Sequence, residues 1–129
     1  MTPPTPISES DIDRLIPEFY SRIRVEPVLG PIFNAAISDW PEHLETLKSF
    51  WSSIILGSGR YKGQPMVQHL LHHDKMTIAN FERWLALWQQ TTNELLHADQ
   101  ATALQAKAER IAESLRLGVE FRRDKASLS

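Results

Sequence analysis

Cysteine is absent from this chain of 129 residues, and that absence removes several kinds of chemistry. Disulfides, thiolate metal ligands and a cysteine nucleophile are excluded, and the expected compartment is a reducing cytoplasm. Long apolar runs are also missing. No segment approaches the ~18 apolar residues of a membrane span, and the opening MTPPTPISES lacks the basic and apolar regions of a signal peptide, so no membrane association is expected. Charge of one sign does not accumulate: 14 Lys and Arg face 16 Asp and Glu, for a net charge of −2. A nucleic-acid partner calls for a basic footprint that this chain does not have. No run alternates with period two for long enough to be a strand, and no strand followed by GxGxxG offers a nicotinamide or flavin site. Glycine is scarce, and three of its five positions (Gly57, Gly59 and Gly63) fall within one short stretch.

The remaining pattern is helical. Hydrophobic residues make up 42% and charged residues 23% of the chain, ordinary for one compact soluble domain. After an arm over 1–9, the domain spans 10–122, and a polar tail over 123–129 is expected to fray. Ser8 or Ser10 can cap a first helix whose apolar positions are Ile12, Leu15, Ile16, Phe19 and Ile23. Pro17 lies inside it, but the register continues through, which predicts one kinked helix. Pro27, Gly30 and Pro31 limit the next segment to a turn or two. Asp39, with Pro41 in the first turn, caps a helix ending at Gly57. Thr77 caps a helix bearing Ile78, Phe81, Trp84, Leu85, Trp88, Leu95 and Leu96. Asp99 is the expected cap of a last helix marked by Leu104, Ala108, Ile111 and Leu115. The predicted class is all-α, in one domain and as a monomer.

The chemistry concentrates between His43 and His69. The stretch FWSSIILGSGRYKGQPMVQH begins as an apolar helix, breaks at the glycines and Pro65, and ends in a short segment carrying His69. His43 and Leu47 share a helix face, with Phe50 and Trp51 a further turn along. Two histidines on separate helical segments, each beside large apolar side chains, predict a flat apolar slot with an imidazole on each side. Haem fits such a slot, since its iron takes a neutral imidazole and its porphyrin needs apolar walls. Without cysteine, that haem would be held non-covalently. The residues expected to hold it are Phe33, Leu47, Phe50, Trp51, Tyr61 and His69. Trp51 is also read, with Trp40 and Trp88, as plain core.

An ordered set of pieces resembles the group III truncated haemoglobins over roughly residues 10–120. The pieces are Phe19-Tyr20, Leu29-Gly-Pro-Ile-Phe33, Trp40-x-x-His43, Phe50-Trp51, Tyr61-x-Gly63-x-Pro65 followed by His69, and Phe81-x-x-Trp84-Leu85. The resemblance implies a two-over-two helical sandwich around haem b, with His69 as proximal ligand to a five-coordinate iron. It places Phe33 against the haem and Tyr20, His43, Leu47 and Trp84 on the distal side. Two positions depart from the family pattern: Pro17 interrupts the first helix, and Trp88 stands where a smaller aromatic is usual.

Such a pocket would bind O2, NO, CO or cyanide. The outer atom of bound O2 carries partial negative charge, and donors aimed there hold it more strongly in a dry pocket. Trp84 is expected as the principal donor because its N–H can only donate, with Tyr20 second and His43 more a gate. His43 is also readable as a partly exposed histidine that swings into solvent. His69 and His73 have a spacing that can bind zinc, but the glutamate of HExxH is missing. His72 and His73 read as surface residues, and His97 as a helix-end residue complementing the dipole. Arg60 and Lys62 are candidates for the haem propionates or for a solvated loop. Three function classes follow: chemistry on a bound ligand, such as NO oxidation or peroxide handling; non-catalytic storage, scavenging or sensing; and a helical interaction domain without a cofactor. Turnover would need a separate reductase, so the sequence leaves enzyme status open.

Overall fold

The computed structural model describes residues 6–61 and 77–128, and the predicted all-α class holds: the described residues form five helices and no strand. Helix α1 (Glu9–Val25) begins on a reciprocal cap. The Ser8 side chain accepts from the Asp11 N–H at 3.2 Å, and the Asp11 carboxylate accepts from the Ser8 N–H at 2.9 Å. Each bond satisfies a donor that the first helical turn leaves free. The helix runs unbroken through Pro17, as the register required, and buries Ile12, Leu15, Ile16, Phe19, Tyr20 and Ile23 along one face.

Helix α2 (Leu29–Ala36) follows after a sharp corner. Pro31 is its third residue, where the missing N–H is one the helix could not have used. No side chain of α2 caps it. Glu26 does so from the end of α1, accepting from the N–H groups of Val28, at 2.9 Å, and Leu29. Arg83 reaches the same carboxylate at 2.6 Å. Burial alone would raise the Glu26 pKa, but the hydrogen bonds from Leu29 and Val28 and the Arg83 charge outweigh it and hold the carboxyl below its usual range. The corner also needs Gly30, because a Cβ there would stand 2.6 Å from the Arg24 carbonyl oxygen.

Helix α3 (Trp40–Leu56) starts where Asp39 accepts from the Glu42 N–H at 3.1 Å, and ends at Gly57 with φ 66°. That left-handed conformation carries little penalty in glycine. Helix α4 (Ile78–Leu95) is capped by Thr77, which accepts from the Asn80 N–H at 3.1 Å.

Helix α5 (Ala98–Leu128) differs from expectation at both ends. It starts at Ala98, with Asp99 in its first turn rather than at the cap. The His97 N–H donates to the Gln100 side chain at 3.0 Å, so His97 stands between the end of one helix and the start of the next. The expected frayed tail is helical through Leu128. No proline follows Pro65, and the arginine, lysine and alanine of the tail are good helix formers.

Helix α1 packs on α2, α3 and α4, and α4 lies along α5. The core includes Ile16, Phe19, Ile23, Leu29, Trp51, Trp88, Leu104 and Ala108. Each large apolar side chain buried this way contributes roughly 1.5–3 kcal/mol. The tryptophans read as core are core: Trp40, Trp51 and Trp88 are 8%, 2% and 1% exposed.

Candidate functional site

Two neighbouring residues of α1 divide the work. Phe19 is fully buried and meets Trp84 and Trp88 edge-on, with ring centroids 5.4 and 4.8 Å away. Tyr20 turns toward α2 and α3, where it lies 6.2 Å from Phe33 and 6.1 Å from Trp40. From α4, the Trp84 indole faces the Tyr20 phenol closely enough to lower its pKa. Burial pushes the Tyr20 phenol pKa far above its ordinary value, and the Trp84 N–H offsets part of that rise. Tyr20 therefore stays protonated at neutral pH.

An indole N–H can only donate, and a protonated phenol can donate or accept. Tyr20 and Trp84, the two expected donors, stand side by side.

His43 lies in the first turns of α3, half-buried, with its ring edge-on to Trp40 at 5.9 Å. Trp40 is itself fixed. Its N–H donates to the Asn34 side chain at 3.1 Å, and the Arg24 guanidinium lies 4.7 Å from its ring centroid. Leu47, one turn beyond His43, is half-buried and packs on the core. Phe50 follows on the same helix and meets Tyr61 edge-on at 5.3 Å. Trp51 is stacked on Trp88 at 4.4 Å, which puts it in the core and behind Phe50 rather than on the half-open side.

Tyr61 is half-buried, and burial raises its pKa. Its backbone N–H donates to the Ser53 hydroxyl at 2.8 Å. A cluster that the sequence did not announce anchors the loop before it. Glu9 of α1 accepts from the buried Ser52 hydroxyl and pairs with Arg60 at 2.6 Å, and Ser52 and Ser58 share a hydrogen bond of 2.8 Å. Arg60, a sequence candidate for haem propionates, is thus engaged by Glu9. Lys62, His69, His72 and His73 lie outside the described residues, so the expected proximal ligand and the zinc alternative do as well. No cluster of three or more His, Asp or Glu that could hold a metal ion occurs among the described residues.

The residues present suit a flat apolar group. Phe33, Leu47, Phe50, Tyr61 and Trp84 are only half covered, in contrast to the enclosed Phe19 and Trp88. The polar groups beside them are a phenol O–H, an indole N–H and an imidazole. That donor set suits a small ligand carrying partial negative charge.

Comparison with known proteins agrees with this arrangement. No protein-family model matches the chain. It is 34% identical over 110 residues to the group 3 truncated haemoglobin ctb of Campylobacter jejuni, covering 82% of this chain and 86% of that protein. The crystal structure of a group III truncated haemoglobin from Campylobacter jejuni superposes with a TM-score of 0.79 at 34% identity, covering 92% of this chain and 95% of that one.

Proposed function

The chain belongs to the group III truncated haemoglobins, and on that premise we propose that it holds haem b non-covalently and binds diatomic ligands under the hydroxyl of Tyr20. His69 is the proximal ligand in this reading, and Phe33, Leu47, Phe50 and Tyr61 wall the porphyrin, with Trp51 behind Phe50. When bound, haem would supply an iron able to take up and polarise O2, NO, CO or cyanide. The observation that carries the reading is the buried Tyr20, set between the rings of Phe33 and Trp40 and beside the Trp84 indole.

The chain's own residues account for the rest. In this reading the Trp84 N–H is directed at the Tyr20 oxygen, which leaves the phenol O–H to point toward the ligand. Because Tyr20 remains protonated, it meets a ligand as a donor and not as a repelling anion. The apolar surroundings lower the local dielectric and strengthen that bond. Leu47 and Phe33 limit the space and exclude water. His43, half-buried against Trp40, stands as a gate whose imidazole swings on the outer side of the pocket.

A donor of this kind slows ligand release, which favours reaction on the bound ligand over bulk transport. We assign the chain to ligand chemistry, namely oxidation of NO to nitrate or the handling of peroxide, with a separate reductase returning the electrons. Stopped-flow mixing of NO with the oxygenated protein, with a reductase supplied, tests this. Stoichiometric nitrate over repeated cycles supports it. Simple displacement of O2 by NO without nitrate would assign the chain to storage or sensing.

A further inference from the structure

We propose that Trp84, Trp88 and Trp51 relay oxidising equivalents from the distal pocket to a groove on the outer face of α4 and α5, where a small arylamine is oxidised one electron at a time. The proposal rests on the peroxide-handling form of the function above.

The three indoles form a continuous stack. Trp84 and Trp88, one turn apart on α4, are nearly parallel at 4°, with centroids 5.7 Å apart. Trp88 and Trp51 are stacked at 4.4 Å and 18°. One end of the stack is the Trp84 indole, which meets Phe19 at 5.4 Å on the side where Tyr20 lines the proposed distal pocket. Its middle member, Trp88, lines a groove of about 180 Å³ together with Leu85, Ala86, Glu82 and Glu109. A cavity of roughly 150 Å³ accepts benzene, so this groove suits a single aromatic ring. Leu85 and Ala86 give it an apolar lining with the enclosed Trp88 directly beneath, and the exposed carboxylates of Glu82 and Glu109 favour the positive charge that an arylamine acquires on losing an electron.

The chemistry favours the indoles as the resting place of the missing electron. The chain has no cysteine to intercept it. Oxidation of Tyr20 expels its phenol proton, and Trp84 beside it is a donor that cannot receive one. The Trp88 N–H donates to the Leu104 carbonyl at 3.2 Å. A carbonyl is no base, so an oxidised Trp88 keeps its proton and is restored by electron return alone. Face-to-face contact with Trp51 spreads the charge over two rings.

The electrons balance. With haem bound, a peroxide would accept two electrons as its O–O bond breaks and take up two protons from solvent to give two waters, both electrons being made good through the indole stack. Two arylamine molecules each return one electron, leaving as radical cations.

The test uses the haem-loaded protein, hydrogen peroxide, a nitroso radical trap with peptide mapping, and N,N-dimethyl-p-phenylenediamine as reductant. The expected result is a trap adduct on Trp88 or Trp51, together with saturable dye formation. Trp88→Phe should lose both while the peroxide-induced change in the haem Soret band proceeds as in wild type. Ala86→Trp, at an exposed position in the groove, should lose dye formation but keep the adduct, and it carries the test if Trp88→Phe does not fold. An adduct confined to Tyr20, or wild-type dye formation by Ala86→Trp, overturns the relay. A haem band that peroxide leaves unchanged overturns the peroxide reading and the relay with it.

Discussion

Replacing Tyr20 and Trp84 by phenylalanine, singly and together, separates the donor from the residue that orients it. Both substitutions keep a ring and remove one polar hydrogen. Tyr20 is 4% exposed and packed against Phe19, Phe33 and Trp40, so Phe in its place loses the hydroxyl and little else. A net hydrogen bond is worth ~0.5–1.5 kcal/mol, and O2 dissociation from Tyr20→Phe should quicken by up to about tenfold, since roughly 1.4 kcal/mol corresponds to a factor of ten. Trp84→Phe acts through Tyr20. The O–H survives but loses the partner that fixed its direction, so dissociation should quicken in the same sense by less. The two residues are neighbours in the proposed pocket, and the effects of residues in contact are not additive. The double variant should therefore release O2 about as fast as Tyr20→Phe alone. CO carries little negative charge when bound, so its release should change much less in all three. Laser photolysis and ligand-replacement stopped flow give these rates. A larger effect from Trp84→Phe than from Tyr20→Phe, or additive effects in the double variant, would refute the assignment of Tyr20 as donor.

Three further outcomes follow from the packing. Gly30→Ala drives a methyl against the Arg24 carbonyl oxygen and should lower stability by about 1–3 kcal/mol, as overpacking does, read as a fall in Tm. Because the Glu26 carboxyl is held below its ordinary range, its contribution is complete above the unfolded-state pKa and is lost as pH falls through the folded-state value. Denaturant titrations of wild type should show that acid-side loss, and Glu26→Gln should flatten it. Protein freed of haem should melt well below the loaded form, because an emptied slot costs stability with its volume and a ligand bound only by the folded state stabilises it; calorimetry of the two forms checks this, and equal melting temperatures would mean no slot.

Much of this architecture was legible because it is local. Ser8, Asp39 and Thr77 act as caps within three residues of their partners, and Gly57 ends α3 by its own backbone freedom. The apolar spacing of α1 was strong enough to override Pro17. Tyr20 lies beside Phe33 and near Trp84, but which of Tyr20 and Trp84 donates depends on side-chain directions between separate helices that sequence spacing does not give. The Glu9–Ser52–Arg60 cluster joins positions more than forty residues apart, and a serine inside FWSSII gives no sign of a buried partner. Glu26 was missed as the cap of α2 because glutamate is not a favoured capping residue and its role comes from the corner, not from helix periodicity. The last helix starts earlier and runs longer than expected because its first turn uses Gln100 and its end carries no stop signal.

The absorption spectrum of the recombinant protein, wild type and His69→Ala, tests the central claim most directly. Wild type should be red, with a Soret band that shifts on adding CO or cyanide, and His69→Ala should lose most of its haem or regain it only with added imidazole. A colourless wild type that also fails to take up added haemin would contradict the account.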